Sequence, residues 1–143
     1  MTHPTLLINE LCCLNDCDPR TLAFNIRKKL SKNLDFMKNI GRLFVSHAIQ
    51  PYDVIPNNIS KYSANQLYAF GTHRSRTTVE QYYLVKYGIQ LRYPHLPCII
   101  MNGGYLEDRT RHMSYFPIEL IYVENKEKGL KELDDFSSIK LSE

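Results

Sequence analysis

The chain has no tryptophan and only six glycines in 143 residues. Its ring chemistry therefore rests on ten tyrosines and six phenylalanines, and so many hydroxyl-tipped rings in a small domain predict that some face a ligand or water. Long hydrophobic runs are missing too. The apolar stretch from Leu6 to Leu14 is broken by Asn9 and Glu10, which argues against a helical membrane span and an ordinary signal peptide. The expected setting is soluble and intracellular, cytoplasmic with a nuclear location also open, with no membrane partner. Internal repeats and low-complexity tracts are absent. No Cys-x-x-Cys pair exists among Cys12, Cys13, Cys17 and Cys98, and an adjacent pair followed four residues later by a third is poor zinc spacing. Reduced, mostly buried thiols are expected, and nothing supports a metal site built from them with His47 or His112. No cofactor is implied.

Acidic side chains are scarce where catalysis would need them. Residues 20–118 carry fourteen basic and five acidic side chains, residues 1–19 three acids and no Lys or Arg, and residues 119–143 four basic and seven acidic. With the carboxylates at the two ends, no acid cluster is expected to hold a pair of metal ions, and no Ser-His-Asp arrangement is suggested. The chain reads as a binding module rather than an enzyme. Its basic body suits a polyanionic partner, although the cations between Arg20 and Lys38 could equally be a solvated helix face.

At this length, with 43% hydrophobic residues, one compact domain is expected. Leu6 to Leu14 reads as a strand. Asp18-Pro19 supplies an N-cap and a first-turn proline, and Leu22, Ile26, Leu30, Leu34 and Met37 recur at helical spacing, predicting one helix or two short ones from Pro19 to Met37. From Gly41 the period changes to two: Leu43, Val45 and His47 alternate with Arg42, Phe44 and Ser46, and Tyr52 and Val54 suggest the next strand. A short hairpin is expected around Gly71-Thr72. Thr78 reads as the N-cap of a helix from Val79 to Tyr87 closed by Gly88. Strands are predicted at Ile89 to Tyr93 and Pro97 to Met101, then, after a Gly103-Gly104 loop, at His112 to Phe116 and Ile118 to Val123. Many short strands with one helical region in front and one small helix inserted predict an α+β, mostly β fold, a small barrel of the oligonucleotide-binding kind.

The most informative stretch runs from Arg76 to Cys98. If Val79 to Tyr87 is helical, Tyr82 and Lys86 are four residues apart, as are Tyr83 and Tyr87, so phenols and an ammonium crowd neighbouring faces. Hydroxyls and a lysine donate to phosphate oxygens without reading a base. The competing reading makes Tyr83 and Leu84 core residues and Tyr87 a rim residue. The string Tyr93-Pro94-His95-Leu96-Pro97-Cys98, preceded by Val79-Glu-Gln-Tyr-Tyr and Lys86-Tyr87 and followed by His112-Met-Ser-Tyr-Phe-Pro-Ile-Glu-Leu120, resembles the PAZ domain of Argonaute proteins. The match is strong over residues 76–123 and weaker back to about residue 4.

That resemblance implies a twisted, oligonucleotide-binding-like β-barrel with an inserted β-hairpin and helix, over residues 1–124, with 125–143 as a linker. Between barrel and insertion it implies a cleft that captures the 3′ end of a single-stranded guide RNA, with the other domains of a full-length Argonaute as neighbours. By the resemblance, Tyr82, Lys86 and Tyr87 match residues that hold the phosphate between the last two nucleotides. His47 matches a histidine on that phosphate and Tyr52 the next phenol. Phe70, with Tyr68 as its competitor, matches the plate under the terminal base. Phe116 matches an apolar residue near the terminal sugar, and Arg111 a basic position. The departures are a short Ala-Ile-Gln-Pro link between His47 and Tyr52, a short insertion in which Arg74 and Arg76 offer replacement charge, and a long loop from Asn102 to Arg111. That loop raises the hypothesis that a 2′-O-methylated 3′ end is tolerated. A Dicer-type PAZ domain and a protein-interaction module that uses the tyrosine face with Leu130, Leu133 and Phe136 stand as alternatives.

Overall fold

A computed structural model describes residues 4–46, 52–69, 77–105 and 111–124. Strand β1 (Thr5–Leu6) leads directly into helix α1 (Leu7–Asn15). The stretch expected as a strand is thus mostly helical, because Leu7, Ile8 and Leu11 share one buried face, while Asn9 and Glu10 are left on the outer side of the turn. A short apolar run does not by itself separate helix from strand. The helix ends on Asp16 in the left-handed region (φ 52°), whose amide reaches the Cys13 carbonyl at 3.3 Å while the Cys17 amide reaches that of Cys12 at 3.0 Å. These two bonds satisfy the last turn's carbonyls.

The predicted N-cap holds: the Asp18 carboxylate accepts from the amides of Arg20 and Thr21, and helix α2 (Pro19–Lys28) begins on its proline. Lys29, at φ −129° and ψ 60°, separates it from α3 (Leu30–Asn39), so the region forms two helices. Asn33, fully buried on α3, exchanges amide hydrogen bonds with Asn15 of α1 at 2.7 and 3.3 Å. That pair satisfies a polar group the core would otherwise leave unpaired.

Strands β2 (Arg42–Val45) and β3 (Tyr52–Asp53) follow, then β4 (Asn58–Ser63), helix α4 (Val79–Tyr87), β5 (Pro97–Tyr105), β6 (Arg111–Pro117), a 3₁₀ turn (Ile118–Leu120) and β7 (Ile121–Glu124). The strands form two antiparallel sheets, ordered β1-β7-β2-β3 and β4-β5-β6. The architecture is the expected mixture of helix and sheet with an N-terminal helical layer and an inserted helix, but the barrel is not closed. Among the described residues no ladder joins β3 to β4 or β6 to β1.

Three further expectations are corrected. Residues 89–93 form no strand: the Glu119 carboxylate accepts from the amides of Arg92 at 2.9 Å and Tyr93 at 2.7 Å, replacing ladder partners with a side chain. Gly103-Gly104 lies within β5 rather than in a loop. Ile118 to Val123 is split, because the 3₁₀ turn over Ile118–Leu120 places Glu119 for that capping before β7 starts. The hairpin expected at Gly71-Thr72 and the segment 125–143 lie outside the described residues. Tyr68 and Thr78 form an isolated antiparallel bridge.

Two cores result. The larger packs α1, α2 and α3 against both sheets through fully buried Leu11, Leu22, Ile26, Met37, Ile99 and Ile121. The smaller gathers Ala64, Val79, Tyr83, Leu91 and Cys98, with Tyr82, Tyr87, Tyr115 and Leu120 packed around it. The second core fastens α4 to the three-stranded sheet.

Candidate nucleic-acid interface

Helix α4 starts where the sequence predicts. Thr78 accepts from the Gln81 amide at 3.2 Å and the Gln81 side chain accepts from the Thr78 amide at 3.0 Å, a complete capping box. Gly88 closes the helix at φ 68°, a conformation in which a side chain would be strained. Between these stops, Val79 and Tyr83 are the buried residues. Tyr83 is 4% exposed, and its hydroxyl donates to the Tyr115 carbonyl of β6 at 3.3 Å. Leu84, the other half of the competing core reading, is 49% exposed.

With Tyr83 as the anchor, Tyr82 and Tyr87 fall at the edge of the second core, half-buried, and Lys86 is exposed. The three rings form one cluster: centroids are 5.7 Å apart for Tyr82 and Tyr83, 6.2 Å for Tyr82 and Tyr87, and 5.5 Å for Tyr83 and Tyr87. The Lys86 ammonium lies 5.6 Å from the Tyr82 centroid and 5.8 Å from that of Tyr87, within the range of cation–π attraction. A hydrogen bond to the Tyr82 oxygen, with the charges of Tyr82 and Tyr87, raises the Lys86 pKa. Burial, with Tyr82 nearby, raises that of Tyr87. At neutral pH the site therefore presents the Lys86 ammonium beside a Tyr87 phenol that keeps its proton, both donors for anionic oxygen.

The structure brings together three of the expected residues, Tyr82, Lys86 and Tyr87. Phe116 sits in the larger core, 3% exposed, while its neighbour Tyr115 packs against the second core, because successive strand residues face opposite sides of a sheet. Tyr52 stands on β3 opposite Val45, and Arg111 on β6 opposite Tyr105. Tyr68 is half-buried and pairs with Thr78 at the start of α4. His47, Phe70, Arg74 and Arg76 lie outside the described residues. Tyr115 is the residue missed by sequence reasoning. Its half-buried phenol, held above the ordinary tyrosine pKa by burial, was detectable from the two-residue period of His112 to Phe116, which puts it on the face away from Phe116. Among the described residues no group of three or more His, Cys, Asp or Glu side chains is placed to hold a metal ion.

The domain thus combines two small antiparallel sheets with a capped helix, inserted between β4 and β5, that presents phenols around a lysine. A family model described as the PAZ domain matches residues 14–142, and the chain belongs to that family. Over 54 residues it is 41% identical to the Piwi-like protein ergo-1 of Caenorhabditis elegans, a stretch that makes up 38% of this chain and 5% of that protein. The chain thus corresponds to a small part of that relative. Its fold also matches the crystal structure of the Drosophila Ago-PAZ domain in complex with 3′-end 2′-O-methylated RNA, with a TM-score of 0.60, 19% identity, and coverage of 86% of this chain and 100% of that one.

Proposed function

We propose that this chain is an RNA-binding module that captures the 3′ end of a single-stranded small guide RNA, or a short 3′ overhang, as part of a gene-silencing Argonaute-family protein. The observation that carries the reading is Lys86 held between Tyr82 and Tyr87 at the edge of the second core. One ammonium and two phenols offer charge and hydrogen bonds to phosphodiester oxygens without a base code, so sequence preference is slight. Stacking of one base on a ring contributes about 1 to 3 kcal/mol, and each neutralised phosphate adds a salt-dependent part with a slope of roughly −0.7 for single strands. The sum is a micromolar-range grip that lets the end go. The likeness to a Piwi-like protein favours the Argonaute setting over a Dicer-type nuclease, and the fold neighbour, itself an RNA complex, agrees with the ligand class. His47, Tyr52, Phe70, Arg111 and Phe116 remain part of the proposed site by resemblance, and tolerance of a 2′-O-methyl group remains a proposal.

Substituting Tyr82→Ala or Tyr87→Ala weakens binding of a short RNA by at least about 1 kcal/mol with the circular dichroism spectrum unchanged; an unaltered dissociation constant removes the site. A protein-interaction module is the second reading, favoured by Leu84 and Val85, which are 49% and 84% exposed on the same helix. It predicts no RNA affinity.

A further inference from the structure

The residues from Pro19 to Leu34 include five basic side chains, Arg20, Arg27, Lys28, Lys29 and Lys32, and no acid. Arg20 lies 3.5 Å from Asp18 with its side chain 86% exposed, and that carboxylate is already engaged by two backbone amides at the helix start. Among the described residues the other four cations form no ion pair. Helix α2 buries Leu22, Ala23 and Ile26; at 100° per residue, Arg20, Phe24, Arg27 and Lys28 occupy the opposite half of the helix. Phe24 is 67% exposed there, one turn from Arg20 and one from Lys28, with the Lys28 ammonium 5.9 Å from its ring centroid. Packing gives this phenylalanine no role. A bare ring set among uncompensated cations is the arrangement with which proteins hold single strands, base on ring and phosphate on cation.

We propose that this face of α2 is a second RNA-contact surface, on which Phe24 stacks a base while Arg20, Arg27 and Lys28 take phosphates of the strand whose 3′ end lies at α4. The inference rests on the RNA-binding reading and extends the contact beyond the 3′ end. The two helices are linked through the loop that leaves α4: His95 Nε2 faces the Pro19 carbonyl oxygen at 3.4 Å, which places the start of α2 beside that loop. An acidic protein surface would also answer the charge, but it leaves the exposed ring without a function.

The test uses the 143-residue chain and two probes by fluorescence anisotropy: a long single-stranded RNA blocked by a 3′-phosphate, and a short RNA with a free 3′-hydroxyl. Phe24→Ala is expected to weaken the blocked RNA at least about fivefold, the lower end of the range for losing one base–ring stack. Arg27→Gln with Lys28→Gln is expected to reduce the magnitude of its salt slope by about 1.4, the contribution of two phosphate contacts. Neither change moves binding of the short RNA, which reports on α4 alone, so failure of that site and failure of this face give different patterns. Polyglutamate in place of RNA is expected to be indifferent to Phe24→Ala. No binding of the blocked RNA by the unaltered chain, no effect of the substitutions, or an equal loss with polyglutamate overturns the proposal.

Discussion

The hydroxyl of Tyr83 on the inserted helix donates to the backbone carbonyl of Tyr115 on β6 across 3.3 Å. This contact ties the helix that carries the phenols to the sheet that forms the floor of the second core. Tyr83→Phe is expected to cost about 0.5–1.5 kcal/mol, the net value of one hydrogen bond. Tyr83→Ala is expected to cost about 3–5 kcal/mol, as for other large aromatic deletions from a core. Urea unfolding of the two variants measures both. Equal losses would show that the ring fills no core position.

RNA affinity is expected to stay level between about pH 8 and pH 9, above the range in which an ordinary histidine, as proposed at position 47, ionises and below about pH 10, where ordinary lysines and tyrosines do. Both Lys86 and Tyr87 have raised pKa values, so over that range the lysine keeps its proton and charge, and the phenol keeps its donor hydrogen. Loss begins only as pH rises toward the raised values. Anisotropy across this range checks the point, and a fall in affinity by pH 9 contradicts it. Lys86→Gln is expected to reduce the magnitude of the salt slope by about 0.7.

Thiol labelling is expected to sort the four cysteines by environment. Cys13 is exposed, and Cys98 is buried with its pKa pushed well up by burial. Burial and the neighbouring Cys17 push the Cys12 thiol up to about 11. Because the thiolate is the reactive form, a neutral thiol reagent is predicted to modify Cys13 first and Cys98 only on unfolding. Peptide mapping after a short exposure decides the order, and early labelling of Cys98 contradicts the second core.

Local signals determine how much of this was legible in the sequence. Helix α4 could be read to the residue, because Thr78 and Gln81 form a cap within one turn and Gly88 supplies a left-handed stop. Asp18-Pro19 marked the start of α2 in the same way. Errors arose where a distant partner decided the outcome. Residues 89–93 carry strand-like residues, but Glu119, twenty-six positions beyond Tyr93, takes the Tyr93 amide. The apolar run from Leu6 to Leu14 is too short to separate helix from strand by itself, until α2 offers a core to pack against. In the site, the phenols and lysine of α4 were legible because they belong to one helix. The packing of Tyr115 against the second core and of Phe116 in the larger one was not, because it depends on which of two cores each side of β6 faces.

The central claim is capture of an RNA 3′ end, and the most direct measurement is fluorescence anisotropy of this chain with a short single-stranded RNA at two salt concentrations, comparing a free 3′-hydroxyl with a 3′-phosphate and with a hairpin-closed end. The account predicts micromolar-range binding to the free end that weakens with salt and is lost with the phosphate or the closed end. Binding indifferent to the 3′ end, or no binding to any of the three, contradicts it.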